Sequence, residues 1–145
     1  MKLIRLIIVV SILFSCASQP LTFIESKNEE GMWKSIPLHS RYGMFVNKNK
    51  EVWRRVVDIL SEKYDLEILD KTSGYIRTSW KSLPSDDKKY RSRVIIKMLG
   101  NVWHTARLKT EAQLLDGETW LVGYDKVILE EIYKDLQGRV GTSVR

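Results

Sequence analysis

Two neighbouring segments of alternating sequence, 90–99 and 104–115, constrain the fold of this 145-residue chain most strongly. In the second segment small or apolar side chains alternate with charged or polar ones, as expected for a strand with one buried face. The first segment is rich in β-forming residues and shows a similar alternation. Gly100 and Asn101 lie between them and supply a turn. The pattern therefore predicts an antiparallel hairpin.

Two helices are predicted, one before the strands and one after them. Residues 50–64 place apolar side chains along one stripe at helical spacing, with charged residues mostly on the other side. Residues 124–137 show a second apolar stripe, with Asp125 as the N-cap and Gly138 as the stop. Both stripes need an apolar surface to cover, which a sheet face provides.

Two further strands are predicted ahead of the hairpin, at 66–70 and 75–81. The order is then helix, four strands, helix, with turns between consecutive strands. We therefore predict an α+β fold, an antiparallel four-stranded sheet with an N-terminal and a C-terminal helix packed on one face. Residues 46–138 form this single domain, and residues 139–145 are expected to fray.

The N-terminus resembles the signal of a bacterial lipoprotein. Lys2 and Arg5 form a short positive region before the apolar run 6–14, which is shorter than the about 20 residues of a membrane-spanning helix. The run ends in LFSC, similar to the lipobox that directs lipid attachment to its cysteine. The resemblance implies a signal peptide over 1–15 and a diacylglycerol thioether on Cys16. The alternative is an ordinary secretory peptide or an uncleaved anchor with an incidental cysteine.

Cysteine content and net charge limit the bonds and partners that this chain can have. Cys16 is the only cysteine, so no disulfide can form within the chain. Removal of Lys2 and Arg5 with the signal peptide lowers the formal charge from +6 to +4. Outside the cytoplasm a mildly basic chain is not expected to bind nucleic acid. Anionic lipid, an acidic glycolipid or an acidic protein surface fits its charge better.

Residues 16–45 carry the lipidated cysteine and then show no sustained period. We interpret this segment as a tether between the lipid and the domain. Apolar residues such as Phe23, Trp33 and Ile36 are spread through it. It therefore has two alternative forms, a strap lying against the domain or a free segment that only a partner orders.

Two motifs carry a resemblance to a known family. The sequence NKEVW at Asn49–Trp53, with the helix that follows, and GYIRTSW at Gly74–Trp80 look like the repeated domain of the BamC-type lipoproteins. Those proteins belong to the machine that assembles outer-membrane β-barrels. The resemblance covers about residues 45–138 and implies a helix-grip domain. This chain holds one such domain where the family typically carries two, and it lacks the family's long partner-binding N-terminal segment.

Location and function are predicted from these resemblances. Ala17 and Ser18 follow the cysteine without an aspartate, as in lipoproteins sent to the outer membrane. We expect a lipid-anchored, periplasm-facing outer-membrane protein that is held to the membrane through Cys16 and binds an envelope protein. Its predicted role is that of a non-catalytic accessory or scaffold protein of envelope assembly. The alternative is a lipoprotein that binds a small apolar or anionic lipid-like ligand between sheet and helices.

No motif for catalysis, a metal or a cofactor is found. The two histidines, His39 and His104, lie far apart in the sequence, and the one cysteine is assigned to lipid. A glycine-rich phosphate loop and a Gly-x-Ser-x-Gly elbow are both missing. The paired carboxylates at 86–87 and 130–131 are adjacent residues, which do not converge on one substrate. We therefore predict a protein that is not an enzyme.

The candidate site is a basic face of the predicted sheet. Alternation places positive side chains opposite the face that carries Ile76, Thr78 and Trp80. The partner-binding candidates are Arg77, Arg91, Arg93, Lys97, Arg107 and Lys109, with Lys81 predicted on the same face. Opposed mainly by Glu111, such a face would attract an acidic protein or anionic head groups. The alternative is a solvated face whose charges favour solubility and block edge pairing.

The five tryptophans divide into two groups. Trp53 and Trp80 are predicted to pack together in the core, where large rings bury much apolar area. The other three, Trp33, Trp103 and Trp120, lie in less regular segments and either cover a core edge or face a partner.

Overall fold

The computed structural model describes residues 22–28, 32–38, 48–85 and 87–141. Cys16 and His39 lie outside these ranges. The elements in chain order are β1 (Phe23–Glu25), β2 (Lys34–Pro37), α1 (Lys48–Ser61), β3 (Leu66–Asp70), β4 (Tyr75–Thr78), β5 (Lys81–Leu83), β6 (Tyr90–Leu99), β7 (Thr105–Asp116), β8 (Thr119–Asp125) and α2 (Lys126–Arg139). No helix in the described ranges is long and apolar enough to cross a membrane.

The strands form one antiparallel sheet in the order β1-β8-β7-β6-β4-β3, with β2 beside β7 and β5 beside β6. Its centre is the long β6–β7 hairpin, paired from Tyr90 with Leu114 to Leu99 with Thr105. This confirms the hairpin predicted from the alternating segments. Gly100 begins the turn with φ of 82°, a left-handed conformation that glycine adopts without steric cost.

The predicted four-stranded sheet with two helices packed on one face is wrong, because the sheet has eight strands. Two of the additional strands, β1 and β2, come from the segment interpreted as a tether. They are three and four residues long, too short to show an alternating pattern. A third, β8, follows the Asp116-Gly117 turn, where Gly117 has φ of 61°. An Asp-Gly pair is a hairpin signal, so β8 could have been predicted from this turn.

Both predicted helices are confirmed, with shifted ends. The α2 N-cap is Asp125, whose Oδ1 accepts a hydrogen bond from the Ile128 N–H at 2.8 Å. Gly138 is not the stop, because α2 continues to Arg139. In α1, Asn49 lies within the helix and bonds to the β6–β7 turn, accepting from the Trp103 N–H at 3.0 Å.

One sheet face, which we call the inner face, packs with the helices in the larger of two hydrophobic clusters formed by the described residues. Its sheet members alternate along the strands, and the helices contribute their apolar stripes. Buried members include Ile76, Val94, Ile96 and Leu108 from the sheet, Val56 and Leu60 from α1, and Ile132 and Leu136 from α2. Ile36 and Leu38 join the same cluster from β2 and the residue after it.

The predicted pairing of Trp53 with Trp80 is also wrong. Trp53 packs instead against Trp103, with ring centroids 5.9 Å apart. Trp103 is a buried member of the core cluster, while Trp80 lies over the other sheet face beside Arg93.

A buried polar network connects β6, β7 and the start of α2, and β1 covers it. The Tyr90 hydroxyl donates to Asp125 Oδ2 at 2.5 Å, and the Thr110 hydroxyl donates to the Asp125 carbonyl at 2.9 Å. Burial, together with the hydrogen bond to Asp125, raises the pKa of Tyr90, so its phenol remains a donor. Phe23 of β1 covers Tyr90 edge-on at 5.9 Å.

Candidate interaction surface

We call the sheet face opposite the inner face the outer face. Cross-strand partners project to the same side of a sheet. The register pairs Arg93 with Glu111 and Lys97 with Arg107. Ile95 pairs with Lys109 on one side and with Arg77 on the other. Arg91 pairs with Gln113, so the structure brings all six candidates of the basic face onto the outer face.

Lys81 is absent from the outer face, contrary to the prediction. Arg77 pairs with Ile95, whereas Lys81 pairs with Ser92, which is buried on the inner side. Lys81 follows Arg77 by four residues, whereas their partners on β6, Ser92 and Ile95, are three residues apart. The extra residue forms a bulge-like break between β4 and β5. Such a break reverses the side to which later side chains point. It carries Trp80 to the outer face instead of the core.

Beyond this break, Lys81 lies against the end of α1. Its Nζ donates to the Lys63 carbonyl at 3.1 Å and lies 5.0 Å from the Tyr64 ring centroid. Burial raises the pKa of Tyr64 to about 12, with a further contribution from the charge of Glu131. Lys81 therefore belongs to a contact between β5 and the residues that follow α1.

The most developed feature of the outer face is a guanidinium held between two indole rings. The Arg91 Cζ lies 4.8 Å from the Trp80 ring centroid and 4.7 Å from that of Trp120. Its Nε and Nη2 both donate to Gln113 Oε1, at 2.9 and 2.7 Å. Each cation–π contact contributes about 0.5–2 kcal/mol, depending on how far the cation is desolvated. The Arg91 side chain is thereby held in one position.

Exposed apolar side chains adjoin this arginine. Trp120 is 38% exposed, and Val122, two residues further along β8, is 51% exposed. Val122 pairs with Gln113, so it also projects from the outer face. We call Trp80, Arg91, Trp120 and Val122 the Trp–Arg patch. It combines a positioned positive charge with accessible apolar area.

Three of the six candidates form ion pairs within the protein. Arg93 donates to Glu111 Oε2 at 2.7 Å, and the Lys109 Nζ lies 3.0 Å from Oε1 of the same carboxylate. Burial opposes ionisation of Glu111, but these two hydrogen bonds outweigh it and lower the pKa of the carboxyl group. Arg77 donates to both oxygens of Glu67, at 3.1 Å each. Their charges are therefore partly balanced within the outer face.

Lys109 is also buried, at 5% exposure. Its Nζ lies 5.0 Å from the ring centroid of Trp33, and Arg107 lies 5.7 Å from the same ring. Trp33 directly precedes β2, which pairs with β7, and so the N-terminal segment places this ring over the outer face. Lys109 could contact a partner only if Trp33 moved.

Lys97 and Arg107 complete the set as exposed neighbours across the β6–β7 pair. With Arg91 they are the candidates whose charge is available to a partner. The aromatic residues that organise the face were not predicted. Trp120 could have been found by counting register from the Asp116-Gly117 turn, because Trp120 pairs with Leu115. The position of Trp80 depends on the bulge-like break before β5, and that of Trp33 depends on the short strand β2. The sequence pattern shows neither feature.

The other chemistry-bearing residues are dispersed. Glu130 bonds to Lys34, while its neighbour Glu131 lies 2.5 Å from Lys63 Nζ, so the two carboxylates serve different contacts. His104 Nδ1 lies 3.0 Å from Lys48 Nζ at the surface. Within the described ranges, no three His, Cys, Asp or Glu side chains come together as metal ligands.

Comparisons with known proteins assign neither a family nor a function to this chain. No protein-family model and no curated protein sequence matches the chain. The outer face is therefore interpreted from its own contacts, and the likeness to the BamC-type lipoproteins rests on the two sequence motifs alone.

Proposed function

We propose that this protein is a non-catalytic, lipid-anchored binding protein of the bacterial envelope, and that its outer face docks an acidic segment of a protein partner. The Trp–Arg patch is the observation that carries the proposal. Tryptophan and arginine are the residue types most enriched where binding energy concentrates in protein interfaces. A guanidinium that is already held in place loses little conformational entropy when it meets a carboxylate.

The charge around the patch favours an acidic partner. Gln113, the side chain that orients Arg91, is neutral, so this contact leaves the arginine's positive charge uncompensated. Lys97 and Arg107 add exposed positive charge further along the β6–β7 pair. Charges at such positions accelerate encounter and select partners of opposite sign. Trp120 and Val122 supply the apolar contact beside them.

Attachment and location follow from the N-terminal motif. The lipobox-like LFSC sequence supports a diacylglycerol on Cys16, and Ala17-Ser18 favours the outer membrane with a periplasm-facing domain. The likeness to BamC-type lipoproteins favours an accessory or scaffold role in envelope assembly. These features support the proposal that the partner of the outer face is an envelope protein.

The alternative, a ligand held between sheet and helices, draws no support from the described core. Ile96 and Leu108 of the sheet and Ile132 of α2 are all fully buried members of one cluster. A site for a drug-sized molecule would need a pocket of several hundred Å³ at that place.

Affinity purification from crosslinked envelopes tests the proposal. We compare the wild-type chain with Arg91→Ala, and use Arg54→Ala, which removes an exposed arginine from α1, as the matched control. The expected result is a loss of partner recovery of at least about tenfold for Arg91→Ala, equivalent to 1.4 kcal/mol. Recovery should be unchanged for Arg54→Ala and should fall with added salt for the wild type.

Equal partner recovery with Arg91→Ala and Arg54→Ala would overturn the docking proposal. Copurification of a lipid-like molecule without a protein would favour the alternative function. Lipid attachment is read separately from the mass of the N-terminal peptide, with Cys16→Ala as the control that should leave the membrane fraction.

A further inference from the structure

The first described residues of the chain contact the domain at the N-terminus of α2, and we call this contact the entry point. The Thr22 carbonyl accepts a hydrogen bond from the Lys126 N–H at 2.9 Å, and Phe23 pairs with Asp125. β1 is an edge strand of the sheet. The point where the N-terminal segment joins the domain is therefore defined by backbone contacts on the β1 edge, beside the first turn of α2.

The chain between this point and the proposed lipid is short. Thr22 follows Cys16 by six positions, so the intervening chain spans at most about 20 Å. A domain of this size has a radius of gyration of about 14 Å and is about 35 Å across. The link is thus shorter than the domain, and the entry point must stay near the bilayer surface.

The surface at the entry point suits lipid head groups. Lys126, Glu130 and Lys134 follow one another at four-residue spacing along α2, and Lys34 of β2 binds Glu130. Side chains four residues apart on a helix are neighbours, so Lys126 and Lys134 flank Glu130, and the hydrogen bond from Lys34 is the main cause that lowers the pKa of Glu130. Three positive charges thus surround one negative charge.

An exposed apolar side chain lies beside these lysines. Val127 is 54% exposed in the first turn of α2, next to Lys126. Lysines around an apolar side chain are typical of protein surfaces that rest on anionic membranes.

We infer that the β1 edge and the outward side of α2 around Lys126, Val127 and Lys134 rest on the membrane that carries the lipid, in contact with anionic head groups. The inference deepens the proposed lipid anchor at Cys16 and rests on it. It gives the domain a fixed orientation.

The opposite edge of the sheet provides a matched comparison. β3 lies five strand spacings from β1, about 24 Å away. Its Leu69 is 50% exposed, almost the same as Val127, and its neighbours include the acidic Glu67 and Asp70. A probe at Leu69 therefore differs from one at Val127 mainly in distance from the entry point and in local charge.

The test uses the full-length lipid-modified protein with an environment-sensitive fluorophore on Val127→Cys or Leu69→Cys. Cys16 does not react, because its sulfur forms the thioether. The proteins are inserted through their lipid into phosphatidylcholine vesicles containing about 30% phosphatidylglycerol, and quenching by brominated lipid is measured. We expect quenching at 127 at least about threefold stronger than at 69. Lys126→Glu should reduce it in these vesicles and not in pure phosphatidylcholine.

Each remaining outcome overturns a stated part of the inference. Equal quenching at the two positions, or stronger quenching at 69, contradicts the orientation while leaving the anchor intact. A Lys126→Glu variant with undiminished quenching in the anionic vesicles contradicts the role of head-group charge. An N-terminal peptide without diacylglycerol removes the anchor, and the orientation fails with it.

Discussion

At the scale of single residues, Glu111 joins two cations of the outer face. One carboxylate accepts hydrogen bonds from Arg93 and Lys109, and Lys109 is buried beneath Trp33. A buried ammonium is costly unless it is paired, and Glu111 supplies that partner. The same carboxylate holds Arg93, whose guanidinium lies 4.3 Å from the Trp80 ring centroid. Glu111 thus determines both the burial of one cation and the position of another.

Glu111→Gln is expected to lower the free energy of unfolding by about 1–3 kcal/mol at neutral pH. The folded-state pKa of Glu111 is below its unfolded value of about 4.3, so its contribution is present above that pH. The contribution is lost as the pH falls through the folded pKa, and the wild type and variant should then converge. Urea unfolding across acidic pH measures this. Glu118→Gln, in the exposed β7–β8 turn, is the control, and a pH-independent difference would contradict the assignment.

At the scale of elements, close backbone contact between β1 and β8 decides how the N-terminal segment joins the sheet. Gly123 of β8 lies opposite Glu25, and a Cβ at this position would lie 2.0 Å from the Ile24 carbonyl oxygen. Only glycine permits that approach. Since β1 also places Phe23 against Tyr90, the contact supports the buried network at the start of α2.

Gly123→Ala should displace β1 and destabilise the protein by about 1–3 kcal/mol. The Ser26 N–H, which donates to the Val122 carbonyl at 3.1 Å, should exchange faster with solvent. Gly138→Ala is the opposite case, because Gly138 is inside α2 and a Cβ added there would have nothing within 4 Å. It should stabilise the protein by about 0.5–1 kcal/mol. Equal effects of the two substitutions would refute the steric argument.

At the scale of the whole molecule, the N-terminal segment is part of the folded unit. β2 pairs with β7, and its Ile36 is 0% exposed within the main hydrophobic cluster. β1 extends the sheet at its other end through β8. The domain is therefore completed by residues that precede α1 in the chain, and in the proposed anchored protein these residues bring the lipid on Cys16 close to the sheet.

Ile36→Ala should cost about 2–5 kcal/mol of stability, because it removes a fully buried side chain and leaves a cavity. Ser35→Ala, one residue away and exposed, should change stability by less than about 0.5 kcal/mol. Thermal or urea unfolding distinguishes them. A free tether would leave both variants as stable as the wild type, and that result would exclude β2 from the folded domain.

The elements that could be predicted are those long enough for the repeat of buried and exposed residues to be recognised in the sequence. The β6–β7 hairpin and both helices extend over ten or more residues, so burial of one side is visible as alternation or as a stripe. The N-cap at Asp125 was also local, since it needs only the residue and the helix that follows. Five of the six basic candidates share a face for the same reason, because they lie on this hairpin, and Arg77 joins them from the shorter β4.

What tertiary structure alone decided is how short and irregular segments complete the sheet. β1 and β2 carry no detectable period, and their pairing depends on strands far along the chain. The break before β5 inserts one residue, and this reverses the faces of Lys81 and Trp80. The sequence alone determined the long helices and strands, because burying one side of such an element requires apolar residues at the helical or strand period. The Trp–Arg patch exists only after distant strands have set their register.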